Sequence, residues 1–361
     1  MTAQKLFEGA DALAGLQQEL HVRDIHHVFL VRGKHSYEAC GAQSHLEGIF
    51  AAEQIGVTEF YDFDTNPKME DVEKGLSQLS ATEAAAILAV GGGSVLDMAK
   101  LIRYKYTSQR LPLIAVPTTA GTGAEATPFA VCYVDGVKTS VDNPDILPDI
   151  AVLFPEFTYA NSSYLTACTG FDALAQAIEA YWNVNATSVS DRYAEEAISL
   201  IWDTLPACVN HPLPELRNKM LKGAYLAGKA IAITRTTAPH AFSYAFTSKC
   251  GYPHGHAVAL TFPFFFELNV NGWKSRNTLQ SQVDKSLYQE KMNRLIDTLQ
   301  LDIYRLKEEF LIYIQSLRLE LKVKQNNIKQ LLDCVNLERL KNNPSVVGAE
   351  EIKELDNWLN S

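Results

Sequence analysis

Residues 84–106 read AAAILAVGGGSVLDMAKLIRYKY. The apolar run over 84–90 stops abruptly at Gly91-Gly92-Gly93. Residues 94–106 then carry apolar side chains at helical spacing behind Ser94, a residue type that caps helix N-termini. The expected order is a buried parallel strand, a glycine turn and a helix. Glycine lets a pyrophosphate approach the backbone, and a helix N-terminus offers unsatisfied N–H groups at a positive dipole end. The same turn could also be a tight strand-to-helix connection and nothing more. It is not the spaced glycine fingerprint of ordinary dinucleotide-binding folds.

Working outward, strands are expected at 27–32 (HVFLVR), 58–63 (TEFYDF), 113–116 (LIAV), 130–133 and 150–154. Turn chemistry at Asp135-Gly136 and Asn143-Pro144 separates the last of these. Strands alternating with helical patterns point to βαβ units. A second loop, PTTAGTGAEAT at 117–127, follows the next strand, where an open parallel sheet presents its ligand edge. Its threonine hydroxyls and glycines make a surface suited to ribose and phosphate. From about residue 162 long helical patterns take over, at 164–181, 188–205, 216–234 and 285–335, the last necessarily broken into several. The expectation is an α/β Rossmann-like domain over 1–161 and an all-helical domain over 162–361, with a ligand site in a cleft between them.

Composition narrows the function classes. A chain of 361 residues is long for one core, 47% hydrophobic and 20% charged content is ordinary for globular proteins, and the formal charge is -10. That acidity argues against a nucleic-acid partner. No apolar run reaches the ~20 residues a membrane helix needs, and the first residues lack a secretion signal. Six cysteines without CxxC spacing argue against a disulfide framework or a cysteine-rich zinc site, so a reducing cytoplasm is expected.

In the helical half, Asp172 and Gln176 stand at i, i+4 on one face, with His240 and His254 fourteen residues apart further on. One carboxylate and two imidazoles suit a divalent transition metal with open positions, although single histidines also serve as satisfied core residues. Motifs decide between these. GGGSVLDMAK (91–100), PTTAGTGAEAT (117–127), TGFDALAQAIEAY (169–181), His240, Pro253-His254-Gly255 and Asn342-Asn343-Pro344 resemble, in order, the motifs of the iron-containing (group III) alcohol dehydrogenases. The resemblance covers nearly the whole chain and implies that family's two-domain architecture.

It also implies roles. Gly91, Gly92, Gly93, Ser94 and Asp97 match the pyrophosphate motif. Thr118, Thr119 and Thr122 would line the nicotinamide half, and Lys138 matches a lysine that reaches the cofactor. Asp64 and Pro67 lie where the family packs the adenosine end, with Gly33 at the end of the first long strand. Asp172, Gln176, His240 and His254 match the metal positions, Fe(II) being favoured over Zn(II). Two residues depart from the usual pattern. Gln176 replaces a histidine ligand, and Tyr244 replaces another histidine near the nicotinamide, so a proton relay would use Tyr244, His256 or water. Segment 236–256 looks most like the phosphonoacetaldehyde reductase branch, which also has glutamine at the Gln176 position. The implied activity is NAD(P)H-dependent reduction of a small aldehyde to its alcohol, phosphonoacetaldehyde to 2-hydroxyethylphosphonate, by a homodimer. Arg235, next to Thr236 and Thr237, is the candidate for the substrate's acid group, or else a helix cap. Arg32-Gly33-Lys34 contains no carboxylate to repel a 2′-phosphate, so NADPH is expected to serve at least as well as NADH. The rivals are a general short-chain alcohol dehydrogenase, a dehydroquinate synthase-like lyase, and a metal-free binding protein.

Overall fold

The computed structural model describes residues 4–134, 137–275, 279–323 and 328–360, apart from the side chains of 137, 138 and 272–275. The chain divides into two compact units, 1–161 with 212–228, and 162–211 with 229–361.

The first unit is built on parallel strands β1 (Lys5–Glu8), β2 (His27–Arg32), β3 (Gly56–Phe60), β4 (Ala86–Gly91) and β5 (Leu113–Pro117). Strands β6 (Phe129–Val134) and β7 (Val137–Asp142) pair antiparallel, and β8 (Ile150–Leu153) returns to the sheet. The sheet order is β1-β8-β5-β4-β2-β3. Both faces are covered, so β2 is apolar from Val28 to Val31. Val28 and Leu30 face one core with Leu88 and Val90; Phe29 and Val31 face the other with Ile87 and Ala89. The helices are α1 (Ala12–Val22), α2 (Ser36–Ala39), α3 (Ala42–Glu53), α4 (Met69–Ser80) and α5 (Gly93–Lys105). Strand order reverses between β2 and β4, so the ends of those strands open onto the position where such sheets bind ligands.

Several expectations need correction here. The strand expected at 130–133 lies outside the parallel sheet, in a hairpin whose second arm was not anticipated; its turn, Asp135-Gly136, is outside the described residues. Ser94 does not cap α5. Gly92 holds the N-cap position, and Ser94 Oγ instead accepts from Asn66 N at 3.3 Å. Residues 212–228 cluster with the first unit rather than the helical one. There Gly228 lies so close to Gly123 that a Cβ on either would meet the other's backbone at 2.6–2.7 Å.

The second unit contains α6 (Ser163–Trp182), α7 (Ser188–Ile201), α8 (Thr204–Asn210), the end of α9 (Pro214–Thr234), α10 (Ala238–Cys250) and α11 (His254–Ser275). It continues with α12 (Lys285–Leu299), α13 (Leu306–Ser316), α14 (Ile328–Leu332), α15 (Leu337–Leu340) and α16 (Ala349–Leu359). The pattern at 188–205 breaks into two helices, and α10 and α11 were masked by Pro239, Gly251, Pro253 and Pro263. Helix α6 is buried nearly all round and packs against α7, α8 and α11. Any polar residue on it must find a partner.

Candidate functional site

Asp172, Gln176 and Glu179 interrupt the apolar surface of α6 and His240 meets it, each at most 4% exposed. On α6, Asp172, Gln176 and Glu179 recur at helical spacing and share a face. His240 comes from the first turn of α10 and His254 begins α11. His240 Nε2 lies 3.0 Å from Asp172 Oδ1 and His254 Nε2 3.9 Å from the same oxygen. One ligand atom from each of Asp172, His240 and His254 falls within 4.8 Å of the others.

Gly255 explains how His254 gets there. A Cβ at Gly255 would sit 1.8 Å from the Cys168 carbonyl oxygen and 3.0 Å from Asp172 Cβ, so only glycine permits the start of α11 to press onto α6.

Two observations test the fit of a cation. The Gln176 Oε1 atom is buried without a hydrogen-bond partner among the described residues. An orphaned buried acceptor is costly, and here it stands one helical turn from Asp172. The second is charge. Burial opposes ionisation of Asp172, yet the imidazoles of His254 and His240 outweigh it and hold the carboxyl below its usual range. Burial likewise opposes the charge on His240, but Glu179 and Asp172 raise its pKa to about 10. Two buried carboxylates, Asp172 and Glu179, therefore favour positive charge in this pocket, and the residues present fit a divalent ion.

Sequence reading missed Glu179. This carboxylate is wholly buried, accepts from His240 Nδ1, and accepts from Thr237 N at 2.6 Å and Thr237 Oγ1 at 2.9 Å. Trp182 Nε1 donates to Thr237 Oγ1 at 3.0 Å. The signal was available: an acid seven residues after Asp172 on a helix apolar all round.

Tyr244 and His256 part company. Tyr244 stacks on His254, with ring centroids 5.8 Å apart and planes at 16°. Burial raises its pKa, although Arg339 pulls the other way. His256 is not brought to the triad, since Nδ1 faces Tyr164 Oη at 2.9 Å and Nε2 faces the Glu320 carbonyl at 2.7 Å. With both nitrogens engaged it holds α11 in place. Arg235 adopts a left-handed backbone (φ 68°) and donates from Nη1 to the Ala232 carbonyl at 2.6 Å, the helix-capping alternative.

In the first unit the two expected loops do converge. A Cβ on Gly93 would meet Thr122 Oγ1 at 2.9 Å, and one on Gly92 would meet Thr119 Oγ1 at 3.4 Å. Thr118 is buried, its N–H donating to the Gly91 carbonyl at 3.0 Å. Gly33 N donates to the Val90 carbonyl at 3.2 Å, joining the ends of β2 and β4. Asp97 turns elsewhere, Oδ2 accepting from Val131 N at 3.0 Å. Asp64 borders an open cavity of about 380 Å³ with Phe63, Lys68 and Lys74, and the buried Pro67 accepts from Tyr133 N at 2.7 Å. The Lys138 side chain lies outside the described residues. The cations at the end of β2 are paired. Arg32 donates to Glu59 at 2.9 and 3.1 Å and stacks 3.8 Å from the centre of the Tyr61 ring, while Lys34 meets Asp62 at 3.0 Å. A carboxylate absent from β2 itself therefore arrives from β3.

Comparison with known proteins shows the family. Residues 3–155 match the model of the iron-containing alcohol dehydrogenases, and residues 166–355 that of the C-terminal part of the Fe-containing alcohol dehydrogenase family. The probable alcohol dehydrogenase EutG of Escherichia coli is 33% identical over 280 residues, 72% of this chain and 70% of that protein. The phosphonoacetaldehyde reductase of Streptomyces viridochromogenes is 34% identical over 226 residues, 56% of this chain and 57% of its own. Among solved structures, the sulfoacetaldehyde reductase from Bifidobacterium kashiwanohense in complex with NAD+ superposes with a TM-score of 0.85 at 26% identity, covering 99% of this chain and 97% of that one. No described helix is long and apolar enough to cross a membrane. The chain belongs to the iron-containing alcohol dehydrogenase family and is an oxidoreductase acting between an alcohol and its aldehyde.

Proposed function

We propose that the protein is a metal-dependent, NAD(P)H-linked reductase of small aldehydes bearing an acid group, phosphonoacetaldehyde first among them. The observation that carries the reading is the Asp172–His240–His254 cluster with the orphaned Gln176 oxygen beside it. These four residues would hold the ion, Fe(II) in preference to Zn(II). Such an ion polarises a carbonyl oxygen and stabilises developing negative charge, while reduced nicotinamide supplies the hydride.

The chain's own residues do the rest. Glu179 accepts the hydrogen bond from His240 Nδ1–H and so presents Nε2 toward Asp172. Tyr244 Oη accepts from Arg339 Nη1 at 2.6 Å and keeps its own proton, because burial raises its pKa. That proton is the one given to the substrate oxygen as it becomes an alkoxide. Gly91–Ser94 and Thr118–Thr122 cradle the dinucleotide.

Similarity to the phosphonoacetaldehyde and sulfoacetaldehyde reductases supports the acid-bearing substrate, and similarity to EutG favours a general short-chain alcohol dehydrogenase as the alternative. A homodimer in the cytoplasm completes the proposal. The test depletes the protein of metal, restores Fe(II) or Zn(II), and follows NADH and NADPH oxidation with phosphonoacetaldehyde, sulfoacetaldehyde and propanal. Metal-independent turnover, or propanal preferred over both acid-bearing aldehydes, would refute it.

A further inference from the structure

Arg339 carries a charge that no carboxylate among the described residues balances. It is half-buried on α15, and its neighbour Glu338 pairs with Lys341 instead. Its contacts are with Tyr244: the guanidinium carbon lies 4.7 Å from the ring centre, and Nη1 donates to Oη. Tyr244 in turn stacks on His254, so one aromatic ring separates this cation from the metal cluster.

The placement is fixed. Just after α15, Asn342 Nδ2 donates to the Thr236 carbonyl at 3.2 Å, and its own carbonyl accepts from Val184 N at 3.2 Å. Asn343 and Asn269 exchange amide hydrogen bonds at 2.9 and 3.0 Å. The segment carrying Arg339 is thereby tied to the end of α6 and to the turn that enters α10, the helices bearing Asp172 and His240. A half-buried guanidinium held without a counter-charge favours an anion, and its planar fork matches an oxyacid.

We propose that Arg339 is the residue that selects an acid-bearing substrate. The carbonyl of a short aldehyde lies at the Asp172–His240–His254 cluster, and its phosphonate or sulfonate group lies on the Nε and Nη2 side of the Arg339 fork. This rests on the reductase reading above and moves the anion contact from Arg235, whose guanidinium serves the Ala232 carbonyl.

Arg339→Met keeps an aliphatic stem over Tyr244 and removes the charge; Arg339→Lys keeps the charge without the fork. The experiment measures kcat and KM for phosphonoacetaldehyde, sulfoacetaldehyde and propanal with the metal-loaded enzyme. In Arg339→Met the ratio of kcat/KM for either acid-bearing aldehyde to that for propanal falls roughly 10- to 100-fold, carried by KM. Arg339→Lys recovers part of that ratio and carries the test alone should the methionine variant not fold. A larger loss for phosphonoacetaldehyde than for sulfoacetaldehyde identifies the phosphonate as the group Arg339 serves, and the reverse order the sulfonate. A wild-type preference for acid-bearing aldehydes, combined with equal losses on all substrates or none, overturns the role of Arg339 and leaves the reductase reading standing. A wild-type enzyme that prefers propanal overturns both.

Discussion

His240 is held through Nδ1 by Glu179, a wholly buried carboxylate that lies seven residues after Asp172 on the same helix. The bond orients one imidazole from behind while Asp172 faces it from the front. Glu179→Gln removes the charge and leaves the shape. Metal affinity, measured by competition with a chelator, is expected to fall about 10- to 100-fold, as loss of such an outer partner does elsewhere. Unchanged affinity would reduce Glu179 to a buried anchor for Thr237.

Gly255→Ala tests the approach of α11 to α6. The added Cβ cannot coexist with the Cys168 carbonyl at 1.8 Å, so α11 must retreat and take His254 with it. The expected outcome is loss of bound metal together with destabilisation of about 1–3 kcal/mol. A variant that keeps its full metal content would show that His254 does not depend on this contact.

How much of this was legible in the sequence depends on the range of the interaction. Strand β4 and helix α5 were readable because an apolar run ending in three glycines is a local signal, and the sheet's two buried faces make β2 apolar without alternation. Metal candidates were readable as a spacing joined to a resemblance. Glu179 was overlooked because a lone glutamate on a helix ordinarily faces water. Arg339 carried no local signal at all, since it meets Tyr244 from 95 residues away. Pro263 hid α11, because an interior proline usually ends a helix.

Arg32 pairs with Glu59 because β2 and β3 lie side by side in parallel register, and under the proposed function this pair would set the cofactor choice. Glu59→Gln frees the guanidinium and removes a carboxylate that would repel a 2′-phosphate. The ratio of kcat/KM for NADPH to that for NADH should rise by roughly tenfold, a change worth about 1.4 kcal/mol. An unchanged ratio would place the adenosine ribose away from the end of β2.

Stability should depend on pH through Glu125 in the threonine loop. Burial pushes its pKa from 4.5 up to about 7, with nearby Lys100 opposing the rise. The native state therefore binds a proton that the unfolded state has released, and this contribution is full below about pH 4.5 and lost as pH rises through about 7. Lys100, itself wholly buried and drawn down to about 8, works oppositely: its contribution is present above pH 10.5 and lost as pH falls through about 8. Glu125→Gln deletes the first slope. Its stability relative to the parent protein should increase between pH 5 and pH 8 by on the order of 3 kcal/mol, read from urea unfolding. A constant difference across that range would mean that Glu125 is ionised throughout.

Gln176 offers the sharpest contrast with the usual ligand set. Gln176→His should bind metal at least as tightly as the parent, because imidazole is the stronger donor. Gln176→Leu removes the orphaned acceptor. It should reduce the rise in Tm that added Fe(II) gives, since that rise reports affinity directly. An equal Tm increase in the parent and Gln176→Leu would show that the amide oxygen does not ligate.

The central claim is that one divalent ion sits among Asp172, Gln176, His240 and His254. Its most direct test is an anomalous difference map of the Fe(II)-loaded protein, from data collected on both sides of the iron edge. The account predicts a single strong peak about 2.0–2.3 Å from an Asp172 oxygen, Gln176 Oε1, His240 Nε2 and His254 Nε2. A map with no peak there, or with its peak among other residues, would contradict it.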